Sequence, residues 1–220
     1  HHIGRVIDAI DELGQLEDTL VLYIIGDNGA SAEGTLQGSF NEMLYMNGAA
    51  HLETAESMAA RIADFGTPEA YNHYAVGWAH ATGTPYQWTK QVASHWGGTR
   101  NGTIVHWPER IKAKGEIRSQ FTHVIDVAPT VLEAAGIPMP TSVNGIQQAP
   151  MEGFSMSYAF DDANAAEVHD LQYFEMFCNR GIYHQGWTGV TRHGIPWILS
   201  PKVTPLDDDV WELYAPDDWT

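Results

Sequence analysis

T-L-V-L-Y-I-I-G-D-N-G-A, residues 19–30, is the stretch on which the reading of this chain turns. Residues 19–25 form a near-continuous apolar run rich in β-branched side chains, the composition of a strand covered on both faces, as in a parallel α/β sheet. Gly26 breaks the run. Asp27 and Asn28 then place two hard oxygen donors on adjacent residues, and Gly29 opens backbone angles closed to other residues. Ligands of open α/β sheets sit at the carboxyl ends of strands, so this placement points to a metal site. D-N-G is equally good turn chemistry, and from these residues alone both readings stay open.

Working outward, Ile3, Val6, Ile7, Ile10 and Leu13 recur at helical spacing and Gly14 supplies a stop. On the other side, a small-residue loop over 31–38 leads to a short helix over 40–45. Leu52, Ala55, Ala59, Ile62 and Phe65 then predict an amphipathic helix over 51–65, ended by Gly66. Residues 67–87, with Tyr71, Tyr74, Trp78, Pro85 and Tyr86, read as a long ordered loop of the kind that borders a pocket. W-T-K-Q-V-A-S-H-W-G-G-T-R, residues 88–100, holds the first lysine of the chain, Lys90, before a glycine pair and Arg100, a combination suited to anions. A strand over 103–107 closes at Pro108, and 111–116 reads as a solvated basic turn. Asp126 is placed to cap a third helix, with Val127, Val131, Leu132 and Ala135 inward and Gly136 at its end. Strand, loop and helix alternate as in an α/β layer. Beyond the Pro- and Gly-rich 137–153, residues 171–177, 181–183, 188–191 and 210–214 read as short strands of an antiparallel sheet.

Composition narrows the function classes. The 220 residues carry 11 Lys plus Arg against 28 Asp plus Glu, a net charge of −17, which argues against a nucleic-acid surface. No run approaches the roughly 18 apolar residues of a membrane span. A single cysteine, Cys178, excludes an internal disulfide and a Cys-based zinc cluster. None of the eleven histidines lies in an H-E-x-x-H or H-x-H arrangement; His80, His123 and His184 read as structural or solvated, whereas His95 is close enough to Lys90 to be a candidate for the same site. Asn101-Gly102-Thr103 matches a glycosylation sequon. The opening His1-His2-Ile3, already inside a helical pattern, and the close on W-E-L-Y-A-P-D-D-W-T lead to the expectation of an internal fragment of a longer protein.

Taken together, G-D-N-G at 26–29, Lys90 before G-G-T-R at 97–100, I-V-H-W-P at 104–108, H-V-I-D-V-A-P-T-V-L-E-A-A-G-I at 123–137 and W-E-L-Y at 211–214 resemble, in order, the second half of a sulfatase catalytic domain. The similarity is greatest to the large bacterial arylsulfatases and covers nearly the whole chain. It implies an α/β fold, part of an alkaline-phosphatase-like sulfatase sandwich over 1–150, followed over 151–220 by a linker and part of a small C-terminal antiparallel-sheet subdomain. It further implies hydrolysis of small-molecule or sugar sulfate esters by a formylglycine nucleophile and one divalent ion, usually Ca²⁺. Asp27 and Asn28 match the downstream pair of metal ligands, and Lys90 matches the lysine that contacts the sulfate. A fixed cation and an ammonium are apt there, because charge develops on the sulfate oxygens in the transition state. Family members include periplasmic and secreted enzymes, but with the true N-terminus expected to be missing the compartment stays open.

The departures are as specific as the matches. No C/S-x-P-x-R nucleophile motif is present, since Cys178 is followed by Asn179, Arg180 and Gly181, and the upstream Asp pair is absent too. The expectation is that the N-terminal portion of the same domain supplies both, and that this polypeptide alone does not hydrolyse sulfate esters. Two other readings remain: a phosphatase or phosphodiesterase of the same superfamily, and a non-catalytic sulfatase-like domain whose aromatic loop suits sugar stacking.

Overall fold

A computed structural model describes residues 1–195, 204–216 and 218. Along the chain the elements are α1 (His2–Glu12), β1 (Val21–Ile24), α2 (Glu42–Met46), α3 (Ala55–Ala59), α4 (Val76–Gly83), α5 (Trp96–Thr99), β2 (Thr103–His106) and α6 (Val127–Ala134). The hairpin β3 (Ser142–Val143) and β4 (Ile146–Gln147) follows, then β5 (Leu171–Met176), β6 (Asn179–His184), β7 (Trp187–Thr191) and β8 (Trp211–Tyr214). These form two compact units, one of His1–Ile25 with Gly102–Leu171, the other of Gly26–Asn101 with Gln172–Thr220.

In the first unit α1 ends as its sequence indicates: Gly14 takes φ 68° and its N–H donates to the Asp11 carbonyl at 2.7 Å. Its apolar stripe is largely uncovered, with Ile3 and Val6 half exposed or more. The expectation of a parallel strand covered on both faces is corrected here. Among the described residues β1 pairs antiparallel with β2 alone, in the register Val21↔His106 to Ile24↔Thr103, and Ile24 and Ile25 are exposed. Apolar runs report that a strand has faces to cover, not the direction of its partner.

Asp126 is also reassigned. It occupies the N-cap position of α6, but its side chain makes no bond to that helix. The carboxylate is buried, 1 % exposed, and accepts from the His123 N–H at 2.7 Å, the Phe154 N–H at 2.8 Å and His169 Nδ1 at 2.8 Å. Pro129 and Thr130 are the buried positions of α6, whereas Val131 faces out.

Two helix readings in the second unit change as well. The stretch 51–65 is broken into a 3₁₀ turn, α3 and another 3₁₀ turn. Polar side chains inside the periodic pattern redirect the backbone. Glu53 accepts from the Phe40 and Asn41 N–H groups at 3.1 and 3.0 Å, and Thr54 starts a new helix through a capping box with Ser57. Conversely, 67–87 contains α4, which has two glycines and a single buried residue, Ala79, and so carries no amphipathic signal. The strand readings near the C-terminus match the structure: β5, β6, β7 and β8 lie side by side in that order, with β6–β7 and β7–β8 antiparallel. Phe177-Cys178 and Gln185-Gly186 all take positive φ in the two-residue turns, the geometry that matches strand twist.

Candidate active site

The site is built on a close approach of two backbones inside the second unit. Gly29 is buried, and its N–H donates to the Gly98 carbonyl at 2.8 Å. A Cβ on Gly29 would lie 1.7 Å from the Gly97 carbonyl oxygen, and one on Gly97 would lie 2.1 Å from the Trp88 carbonyl oxygen. Only glycine admits these approaches, which ties the D-N-G and G-G-T-R motifs to one another physically. One step further on, the Lys90 N–H donates to the Ala30 carbonyl at 3.0 Å. The turn bearing Asp27 and Asn28 and the segment bearing Lys90 are thus joined through main-chain bonds.

Beneath this junction lies the four-stranded sheet. A Cβ on Gly181 of β6 would lie 2.7 Å from the Ser94 carbonyl oxygen, and the Trp96 ring packs against Phe174 and Tyr183 at 5.7 and 6.2 Å between centroids. Asn179, fully buried, donates from Nδ2 to the Gln91 carbonyl at 3.3 Å. The segment 88–91 needs this support, because Trp88 and Gln91 both adopt left-handed backbone angles, φ 65° and 76°. Side chains rarely tolerate such angles, and they gather where a fold presents a residue for function.

Asp27 is exposed and Asn28 half-buried. The Asn28 amide nitrogen donates to the Gly29 carbonyl at 2.8 Å, which leaves the amide oxygen as its acceptor end. Two oxygen donors on one glycine-bounded turn are apt ligands for a hard cation. Among the described residues no three His, Cys, Asp or Glu side chains converge on one point. Lys90 is half-buried and its ammonium lies 3.1 Å from Glu33 Oε2. His95 is interior, 2 % exposed, with Nδ1 2.8 Å from Ser94 Oγ and its ring edge-on to Trp88. Burial, reinforced by the Arg192 charge and opposed by that of Glu212, pushes its pKa down to about 4, so the ring is neutral near pH 7. Arg100 stacks over Tyr86 at 5.0 Å.

Sequence reasoning missed the partner of Lys90. Burial raises the Glu33 carboxyl pKa, but hydrogen bonds from Ser31 and Lys90, together with the Lys90 charge, outweigh it and hold it below the usual carboxylate value. One signal was available: Glu33 is the only charged residue between Asp27 and Glu42.

The family model described as Sulfatase matches residues 1–137. An uncharacterized sulfatase of Schizosaccharomyces pombe is 30% identical over 139 residues, which make up 63% of this chain and 23% of that protein. An arylsulfatase of Klebsiella aerogenes is 27% identical over 155 residues, 70% of this chain and 31% of that protein. The matched region therefore spans less than a third of the length of these curated relatives.

Proposed function

Because this chain belongs to the sulfatase family, we propose that it forms the metal-and-lysine half of an active site that hydrolyses sulfate monoesters. The observation that carries the proposal is the main-chain junction between the D-N-G turn and the Lys90 segment. The junction joins two motifs about sixty residues apart in sequence, which supports a ligand shared by their side chains.

In this reading Asp27 and Asn28 are two oxygen ligands of a Ca²⁺ ion, which supplies a fixed positive charge for the sulfate oxygens. Lys90 donates to a sulfate oxygen and stabilises the charge that grows there as the ester bond breaks. The ammonium does this as a hydrogen-bond donor and never has to give up its proton. No C/S-x-P-x-R sequence occurs in these 220 residues, so the formylglycine nucleophile and the remaining metal ligands are assigned to other parts of the full-length polypeptide. The alkaline-phosphatase-like sandwich belongs to the same proposal.

The test is reaction class. Full-length protein, matured so that its nucleophile is formed, should hydrolyse 4-nitrophenyl sulfate with a kcat/KM at least tenfold above that for 4-nitrophenyl phosphate. Preference for the phosphate ester would assign the site to a phosphatase, and no turnover of either would leave a non-catalytic relative.

A further inference from the structure

Accepting Lys90 as a sulfate contact, we propose that Glu33 is the positioning residue of Lys90, and that His73, acting through Ser31, helps hold Glu33 in the rotamer that this requires. A lysine carries its charge on a flexible four-carbon stem, so an oriented ammonium needs a fixed anchor. Glu33 provides one. Its Oε2 accepts from Lys90 Nζ at 3.1 Å and from Ser31 Oγ at 2.7 Å, and its Oε1 accepts from Gln91 Nε2 at 2.9 Å. Both oxygens are held by residues 31, 90 and 91, so the carboxylate has one orientation. The ammonium has three protons and spends one on Glu33, which leaves donors for a ligand.

Proton counting along the chain of bonds reaches further. Ser31 Oγ has one proton, directed at Glu33, and two lone pairs, which face the Glu33 N–H at 3.4 Å and His73 Nε2 at 2.9 Å. The other ring nitrogen, His73 Nδ1, lies 2.9 Å from the Tyr74 carbonyl oxygen, which can only accept. Nδ1 therefore carries a proton. Ser31 Oγ thus bridges the Glu33 carboxylate and the His73 ring. These bonds link His73, Ser31 and Glu33 in one chain behind the Lys90 ammonium.

Tyr45, near Glu33, has its pKa raised by burial and by the Glu33 charge, so it remains a neutral phenol. His73 is fixed by reciprocal main-chain bonds with Ser39 at 2.9 and 3.1 Å. Nothing in the sequence announces the arrangement, because Ser31 and His73 are 42 residues apart and Glu33 and Lys90 are 57 apart.

Steady-state kinetics of the full-length protein on 4-nitrophenyl sulfate test the proposal. Lys90→Ala should lower kcat/KM at least a hundredfold. Glu33→Gln and Ser31→Ala, each checked for native thermal unfolding, should lower kcat about tenfold with KM changed less than threefold. Adding Glu33→Gln to Lys90→Ala should cost nothing more, because Glu33 acts through Lys90. His73→Gln keeps a donor for Ser31 and should hold kcat within threefold of the parent, whereas His73→Ala removes that partner and should lower kcat about as far as Ser31→Ala does. If Lys90→Ala is silent, the assignment of Lys90 itself is wrong. If Lys90→Ala is damaging while Glu33→Gln and Ser31→Ala match the parent, or if the Glu33→Gln loss persists undiminished in the Lys90→Ala background, Lys90 stands and the positioning role is overturned.

Discussion

Replacing Gly29 with alanine puts the junction of the two motifs under direct load. The new Cβ would sit 1.7 Å from the Gly97 carbonyl oxygen, 2.7 Å from the Gly97 carbonyl carbon and 2.9 Å from Gly98 Cα, all of them main-chain atoms. Ordinary contact begins at 3.4 Å, so one backbone must retreat by the difference between 3.4 and 1.7 Å. Neither side yields easily, since Gly97 and Gly98 are themselves pressed against the carbonyls of Trp88 and Val92. Overpacking of this kind costs about 1–3 kcal/mol. The retreat also breaks the Gly29–Gly98 bond and strands a buried N–H, a further loss of about 1–3 kcal/mol. A total near 4 kcal/mol is a large part of the roughly 5–15 kcal/mol that holds a domain together. Urea unfolding of the full-length protein, followed by tryptophan fluorescence, should show a loss of that order, accompanied by a fall in sulfate-ester turnover. An alanine variant within about 0.5 kcal/mol of the parent, the usual scatter of neutral surface changes, and fully active would refute the reasoning.

Other outcomes follow from single observations. Gly4, inside α1, has nothing within 4 Å of its prospective Cβ, so Gly4→Ala should stabilise by about 0.5–1 kcal/mol, read as a raised Tm. Asp126→Asn must turn an amide nitrogen toward one of the donors around the buried carboxylate, and the unfolding free energy should drop by about 3 kcal/mol. His95, neutral when buried with a pKa near 4, binds a proton more readily in the unfolded chain; its contribution is complete above about pH 6.5 and is lost as pH falls from there toward 4. That loss amounts to about 2–3 kcal/mol, and His95→Gln should flatten the stability profile over this window, as measured by thermal melts at half-unit pH steps.

Local chemistry accounts for what the sequence disclosed. The stop at Gly14, the strands on either side of Phe177-Cys178 and Gln185-Gly186, and the strand closed by Pro108 are set by residues within a few positions of one another. The break at Glu53 and Thr54 escaped a periodicity argument because it depends on Phe40 and Asn41, which present their N–H groups to Glu53 only in the folded chain. Exposure of β1 escaped it too, since an apolar run records the need for cover and not its source. For the site, the spacing of glycines marked the D-N-G turn and the Lys90 segment, and the structure brings the two together. The network behind Lys90 could not be read in advance, because Glu33, Ser31 and His73 take their roles from contacts across more than forty residues, and the left-handed angles at Trp88 and Gln91 fall on residue types that ordinarily avoid them.

At the centre of the account stands the assignment of Asp27 and Asn28 to a divalent ion. The most direct test is the metal content of full-length protein after exhaustive dialysis, measured by atomic emission alongside sulfate-ester turnover. The account predicts about one Ca²⁺ per chain in the parent, and in Asp27→Ala a loss of most of that calcium together with turnover while the unfolding transition is retained. Asp27→Ala protein that keeps its calcium and its turnover would contradict it.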